Sequence, residues 1–368
     1  MVGKVVDALD SAADVAISTV LRVRKGERVA IFTNPHDDGQ AISWALFRAT
    51  LERGALPVLL TQTKKTQLDF AEEAVLAAIR SAPDVLISIS QEKLGKDPWA
   101  LKKPYRAKGR KWDSAFNWLL GTKRSRSFWS PSVTRDMFER TVPVDYAVMK
   151  RDCKAAARLL DAAESVRITT EKGTDLVIGL KGRRSRRDDG DFSKPGSGGN
   201  LPAGEVFISP ALKSSEGRIV FDGSISTDKG AIVIGEPIAV DVHKGFVKAI
   251  SGGQEAGRFA EAVEAGETMA RRFVREGKLP RASLDTYVRN CRNLGELGIG
   301  MNRAARIVGN VLEDEKVFRT CHIAIGSNYD DDAPALIHYD GIINEPTIVA
   351  SLKGGRTRVL MDRGELKV

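Results

Sequence analysis

Only four histidines occur in the 368-residue chain, and two of them, His322 and His338, fall in one short stretch near its end. That stretch runs Thr320-Cys321-His322-Ile323-Ala324-Ile325-Gly326-Ser327-Asn328-Tyr329, passes the acidic run Asp330-Asp331-Asp332, and reaches Ile337-His338-Tyr339-Asp340-Gly341. His338 and Asp340 are i and i+2, so an extended strand points both to one face, where imidazole and carboxylate make half of a metal site. Cys321, Ile323 and Ile325 alternate with His322, Ala324 and Gly326, which turns His322 away from the apolar set. Small residues at 324 and 326 leave room beside its ring. Either histidine alone is better explained as a satisfied polar group at a strand end, and the acidic run as a solvated turn. Two histidines with a carboxylate at i+2 outweigh that account.

Glu205 lies between Gly204 and the apolar Val206-Phe207-Ile208, and Glu296 lies within Leu294-Gly295-Glu296-Leu297-Gly298-Ile299-Gly300. A carboxylate in such a setting is costly unless it is paired or bound to a metal. Glu205, Glu296, His322, His338 and Asp340 together supply oxygen and imidazole donors suited to two divalent ions sharing a carboxylate and a water.

The elements that must position these groups differ between the two halves of the chain. Apolar residues at helical spacing predict an amphipathic helix over 5–21, followed by a strand over 28–33, a polar turn containing His36, a helix over 40–53, a strand over 56–61, a helix over 70–81 and a strand over 84–90. Strands alternating with helices imply a parallel, doubly wound sheet. No Gly-rich phosphate loop follows the first strand, so no nucleotide cofactor is expected. From Val166 the periodicity changes: strands over 166–170 and 176–180 flank a turn at Gly173-Thr174-Asp175, short strands broken by glycines run over 217–252, and the strongest helix spans 255–276. The expected fold is therefore α/β over 1–150, with a doubly wound parallel sheet. An α+β domain follows over 151–368, whose largely antiparallel sheet carries the metal site.

A hydrophobic fraction of 42% and a charged fraction of 29% describe an ordinary globular protein. Three cysteines show no pairing pattern, which predicts a reducing, cytoplasmic setting without disulfides. Acidic residues interrupt the N-terminal apolar positions, so neither a signal peptide nor a membrane span is expected. The net charge of +9 is concentrated. One cluster comprises Lys102, Lys103, Arg106, Lys108, Arg110, Lys111, Lys123, Arg124 and Arg126; another, Arg183, Arg184, Arg186 and Arg187, precedes Asp188, Asp189 and Asp191. The first cluster is interleaved with Trp99, Trp112, Trp118 and Trp129, a mixture that single-stranded nucleic acids use. It also suits an amphipathic helical excursion that docks on its own domain or on a second subunit with cationic stems reaching water. The helical spacing of Trp112, Phe116 and Leu119 favours docking, with at least two of the four tryptophans largely buried, so nucleic acid is not expected as a partner.

The motifs Asn200-Leu201-Pro202-Ala203-Gly204-Glu205-Val206-Phe207, Leu294-Gly295-Glu296-Leu297-Gly298-Ile299-Gly300, Thr320-Cys321-His322-Ile323-Ala324-Ile325-Gly326 and His338-Tyr339-Asp340 occur in the order in which they occur in a known family. In these the chain resembles the thermophilic-type metallo-aminopeptidases, which include leucyl aminopeptidases T and S. The likeness is weak in the first domain and strong from Gly173 onward. It implies a homodimeric cytoplasmic hydrolase of peptides with two zinc, cobalt or manganese ions. The ligands would be Glu205, Glu296, His322, His338 and Asp340, the bridging carboxylate being unassigned. Glu296 is also expected to act in catalysis, and Tyr329 to lie in the active site as donor to the developing oxyanion. The tract between His322 and His338 is shorter than in those peptidases, and the basic aromatic segment is not a feature of theirs.

The same superfamily also resembles 2,5-dihydroxypyridine dioxygenase, a ring-cleaving enzyme with one iron held by two histidines and an aspartate. Fold and metal donors therefore leave the reaction open. Retention of both glutamates favours the aminopeptidase, with an Fe(II) dioxygenase on His322, His338 and Asp340 as the alternative.

Overall fold

The computed structural model describes residues 7–66 and 68–368. The start of the predicted 5–21 helix lies outside these residues. The rest forms an α-helix, Ala8–Val15, capped by the Asp7 carboxylate and prolonged by a π-helical turn, Ala16–Val20.

The chain folds as two compact units. The first contains the described residues up to Tyr146 together with Gly190–Ala203. Its sheet is wholly parallel, with strands in the order Gly198–Asn200, Arg126–Trp129, Val85–Ile89, Arg28–Thr33 and Leu56–Thr61. The first strand in sequence lies between the second and the third, so the chain winds outward from it in both directions. Every residue of Val85–Ile89 is buried, as a central strand covered on both faces requires. A division at 150/151 is what the sequence suggests. The chain instead returns residues 190–203 to the first unit, because Gly198–Asn200 pairs in parallel with Ser127–Trp129 at the sheet edge.

The basic aromatic segment belongs to this unit. It forms a short helix, Pro98–Lys102, a hairpin of Tyr105–Ala107 with Arg110–Trp112, a helix, Ala115–Gly121, and the strand Arg126–Trp129. Ala115 and Leu119 enter a buried cluster with Phe32, Val75, Ile79 and Leu86, and Tyr105, Phe116 and Trp118 pack against it. Tyr105 stacks on Trp118 at 5.6 Å, and the Arg124 guanidinium lies 4.5 Å from the Trp118 ring. Trp112, Trp118 and Trp129 are half-buried and Trp99 is exposed, so the segment docks on its own unit without fully burying an indole.

One member of the basic cluster is not a surface charge. Arg126 is buried, its guanidinium donating to both Glu27 carboxylate oxygens at 3.0 and 2.6 Å and to the Leu21 carbonyl at 2.7 Å. Glu27→Gln keeps the shape and removes the charge, so it should cost about 1.5 kcal/mol of stability, read as a lower urea midpoint. An unchanged midpoint would show that the pair is only decorative.

The second unit, Ala147–Asp189 with Gly204–Val368, holds two antiparallel sheets of seven and eight strands. The predicted hairpin is present as Ala163–Thr169 paired with Asp175–Gly179. The long helix Gln254–Arg275 buries Phe259 and Val263, with Phe259 meeting Phe221 edge to face at 6.2 Å. Among the described residues no helix is long and apolar enough to cross a membrane.

Candidate metal centre

Four neighbouring strands of the seven-stranded sheet carry the candidate donors: Glu205–Ile208, Leu294–Gly300, Thr320–Gly326 and His338–Asn344. Register puts the donors on one face. Glu205 pairs with Gly300, Gly298 with His322, Glu296 and Asp340 each with Ala324, and His338 with Gly326. Directly paired residues share a face, as do i and i+2, so all five side chains rise from the same side. The floor between them is Gly298, Gly300, Ala324 and Gly326. The room for the His322 ring comes chiefly from Gly298, where a Cβ would lie well inside 3.0 Å of the imidazole.

The Glu296 carboxylate bridges the two imidazoles, one oxygen 3.4 Å from His322 Nε2 and the other 3.1 Å from His338 Nε2. His338 Nε2 also lies 3.5 Å from Asp340 Oδ1, and His322 Nε2 lies 3.6 Å from Glu205 Oε2. His338 Nδ1 is 2.9 Å from the Ser327 carbonyl. Donation there fixes the ring and directs Nε2 into the centre. The Asp340 amide donates to Ser226 Oγ at 2.7 Å, which anchors that strand beside its neighbour.

Glu205, Glu296, His322 and Asp340 are all buried, yet among the described residues Glu205 Oε2, His322 Nδ1 and Asp340 Oδ1 have no hydrogen-bond partner. Buried polar atoms of this kind call for a further partner. The donor chemistry fits a divalent cation. Donor atoms of Glu296, His338 and Asp340 lie within 4.8 Å of one another, and so do those of Glu205, Glu315 and His322.

Glu315 and Lys316 join this cluster although sequence reasoning does not single them out. They follow Glu313 and Asp314, in what looks like a solvated charge run. Glu313, Asp314 and Lys316 are buried, with Asp314 accepting from Ser224 Oγ and from the Val308 and Gly309 amides. The available signal was position, because Glu315 lies a few residues ahead of the strand Thr320–Gly326 that carries His322. Lys316 Nζ lies 2.8 Å from Glu205 Oε1 and also donates to Glu315.

Electrostatics follow from these contacts. Burial opposes ionisation of Glu296, but the two imidazoles outweigh it and hold the carboxyl at about 2. Burial likewise opposes charge on His322, and Glu296, Glu205 and Asp340 overcome it, raising the imidazole to about 9. His338 is driven well above its usual range against burial, by Asp340 and Glu296. Burial, joined by Glu205 and Asp340 and opposed by Lys316, lifts Glu315 to about 8. Both imidazoles are therefore protonated at neutral pH without metal. A metal needs their lone pairs, so its binding should release about two protons, and affinity should rise with pH, by about tenfold per unit per proton, until His322 titrates near 9. Calorimetric titration in buffers of different ionisation heat measures the release. Heats independent of buffer would contradict it.

Tyr329 stands at the edge of this group, 44% exposed, its ring 5.0 Å from Phe207 and 5.3 Å from His338. Desolvation, with Glu296 and Asp340, raises its phenol and keeps it protonated. Arg186 donates to the Tyr329 carbonyl, and Arg183 pairs with Asp330 and Asp332 at 3.0 and 2.8 Å, so the second arginine cluster and the acidic run neutralise each other around this loop.

The model of the family NicX, 2,5-dihydroxypyridine 5,6-dioxygenase, matches residues 132–316, half of the chain. The chain belongs to the NicX family. The matched stretch includes Glu205, Glu296, Glu315 and Lys316 and ends ahead of His322. A curated relative, 2,5-dihydroxypyridine 5,6-dioxygenase of Pseudomonas putida KT2440, is 31% identical over 113 residues, 29% of this chain and 31% of the relative. The alignment thus spans about a third of that relative's length. The solved structure of 2,5-dihydroxypyridine dioxygenase from the same strain superposes with a TM-score of 0.69 at 18% identity, covering 98% of this chain and 97% of the other. AmpT from Thermus thermophilus superposes at 0.62 with 19% identity, over 98% and 99%.

Likeness to AmpT at that identity shows the fold alone. Membership of the NicX family, described as 2,5-dihydroxypyridine 5,6-dioxygenase, overturns the expectation of a metallo-aminopeptidase hydrolysing peptides. The donor set misleads because two histidines amid carboxylates serve either chemistry.

Proposed function

We propose that this chain is a ring-cleaving dioxygenase that holds one ferrous ion through His322, His338 and Asp340 and acts on a dihydroxylated pyridine, with 2,5-dihydroxypyridine the first candidate. The observation that carries the reading is the meeting of two imidazole Nε2 atoms and the Asp340 carboxylate around Glu296 on one glycine-floored sheet face, in a chain of the NicX family. Two histidines and one carboxylate leave positions open for other ligands. A ferrous ion, when bound, supplies the redox chemistry with dioxygen that ring cleavage needs. The protein's own groups do the rest. Ser327 holds His338 in orientation, Glu296 stays ionised and offsets cationic charge, and the half-open ring of Tyr329 beside Phe207 offers a flat wall on which a heteroaromatic ring stacks.

By the name of the family reaction, both atoms of O₂ enter across the C5–C6 bond, which breaks, so one O₂ should be consumed per ring opened. Protein loaded anaerobically with Fe(II) should show that stoichiometry by oxygen electrode as the substrate's near-ultraviolet absorbance falls. Iron-loaded protein that consumes no O₂ with any dihydroxypyridine isomer would sink the proposal.

A further inference from the structure

The two sets of donors are not equivalent. Around Glu296, His338 and Asp340 the only cationic side chains in contact among the described residues are the imidazoles themselves, and Asp340 Oδ1 has no hydrogen-bond partner among those residues. The set formed by Glu205, Glu315 and His322 already encloses an ammonium, since Lys316 Nζ contacts both of its carboxylates from a fully buried side chain.

The backbone of Lys316 is fixed as firmly as its head. Its amide donates to the Glu313 carbonyl at 2.9 Å, and its carbonyl accepts from the Asn302 amide at 2.8 Å. Gly300 permits this approach: a Cβ there would fall within 2.9 Å of the Lys316 carbonyl carbon and closer still to Val317. A side chain held at both ends and buried against two carboxylates is a permanent occupant, unlike a surface lysine that can swing away.

We infer that the Lys316 ammonium is a built-in cation standing in the second of two potential metal positions, so that this centre takes one divalent ion rather than two. The inference uses the metal-centre reading of the site but not its chemistry, and metal counting tests it apart from any dioxygenase assay. A divalent ion entering among Glu205, Glu315 and His322 would have to expel the ammonium or sit against it. Lys316 thereby ties Glu205 and Glu315 to itself and leaves the remaining donors to a single ion. It is a positioning residue that sets metal number.

Lys316→Ser removes the ammonium and opens space. Equilibrium dialysis against excess Co²⁺, followed by elemental analysis, should give one ion per chain for the parent and two for Lys316→Ser. Lys316→Arg, which restores a cation, should return the count to one. Metal-free Lys316→Ser should melt below the metal-free parent, with Co²⁺ raising its melting temperature by more than it raises the parent's. A parent that binds two ions, or a folded Lys316→Ser that binds one, overturns the inference. If Lys316→Ser does not fold, Glu315→Gln decides: a count that stays at one with undiminished affinity supports Lys316 as the partner of Glu315, and loss of an ion from a parent count of two refutes it. Failure of ring cleavage with these counts intact would remove the proposed reaction and leave the inference standing.

Discussion

His338→Ala is expected to weaken ferrous iron binding more than about 100-fold and to abolish oxygen consumption while the protein stays folded. Changes to groups that merely orient a ligand cost about 10–100-fold in affinity, so removing the ligand itself must exceed that range. The fold should survive because His338 begins its strand, keeps 23% of its side chain exposed, and outside the imidazole cluster hydrogen-bonds to the Ser327 carbonyl. Loss of the ring also frees one Glu296 oxygen, and the other still faces His322 at 3.4 Å, so the remaining cluster keeps a charge partner. His243→Ala supplies the control: that histidine is exposed, pairs with Glu216 at 3.0 Å and takes no part in the centre. Iron content, oxygen uptake and thermal melting of both variants measure this. Stoichiometric iron and full activity in His338→Ala would show that the ion is held elsewhere.

The convergence of Glu205, Glu296, His322, His338 and Asp340 on one sheet face was legible because each breaks a local rule: a carboxylate or imidazole on the inner face of an otherwise apolar strand needs a partner. The parallel sheet was legible for the opposite reason, since Val85–Ile89 and Arg28–Thr33 obey the rule for covered strands between helices. What escaped was set by long-range contact. Lys316 and Glu205 are 111 positions apart, and nothing local distinguishes Lys316 from a solvated lysine after three acidic residues. The return of 190–203 to the first unit rests on a three-residue parallel pairing inside a stretch of glycine, serine and aspartate that carries no strand pattern. The choice between the aminopeptidase and the alternative, a dioxygenase, escaped for a chemical reason. The same imidazoles and carboxylates hold hydrolytic or redox metals, and of the two glutamates that suggested two ions, Glu205 is, in the structure, engaged by an ammonium.

Gly298→Ala should damage the fold and the centre together, although it adds only one methyl group. The added Cβ would meet Nε2, Cε1 and Cδ2 of His322 within 3.0 Å, closer than Cβ atoms pack. Neither side can yield easily. Gly298 lies mid-strand with every residue of Leu294–Gly300 buried, and His322 is wholly buried between that strand and His338–Asn344. Overpacking of a tight core costs about 1–3 kcal/mol, and the fixed neighbours place this case near the upper end. The ring must shift away from position 298, and because Nε2 is the atom the added Cβ meets first, the displacement falls on the nitrogen that the ion requires. Expected results are a lower melting temperature in both metal-free and iron-loaded protein, weaker iron binding, and a fall in oxygen uptake that added iron only partly restores. Gly354→Ala, at an exposed turn with φ +82° where a Cβ would meet nothing within 4 Å, introduces backbone strain outside the strands that carry the imidazoles and should lower stability without altering iron affinity. If Gly298→Ala instead binds iron as tightly as the parent, the sheet floor has slack at this position and His322 owes its orientation to the carboxylates alone.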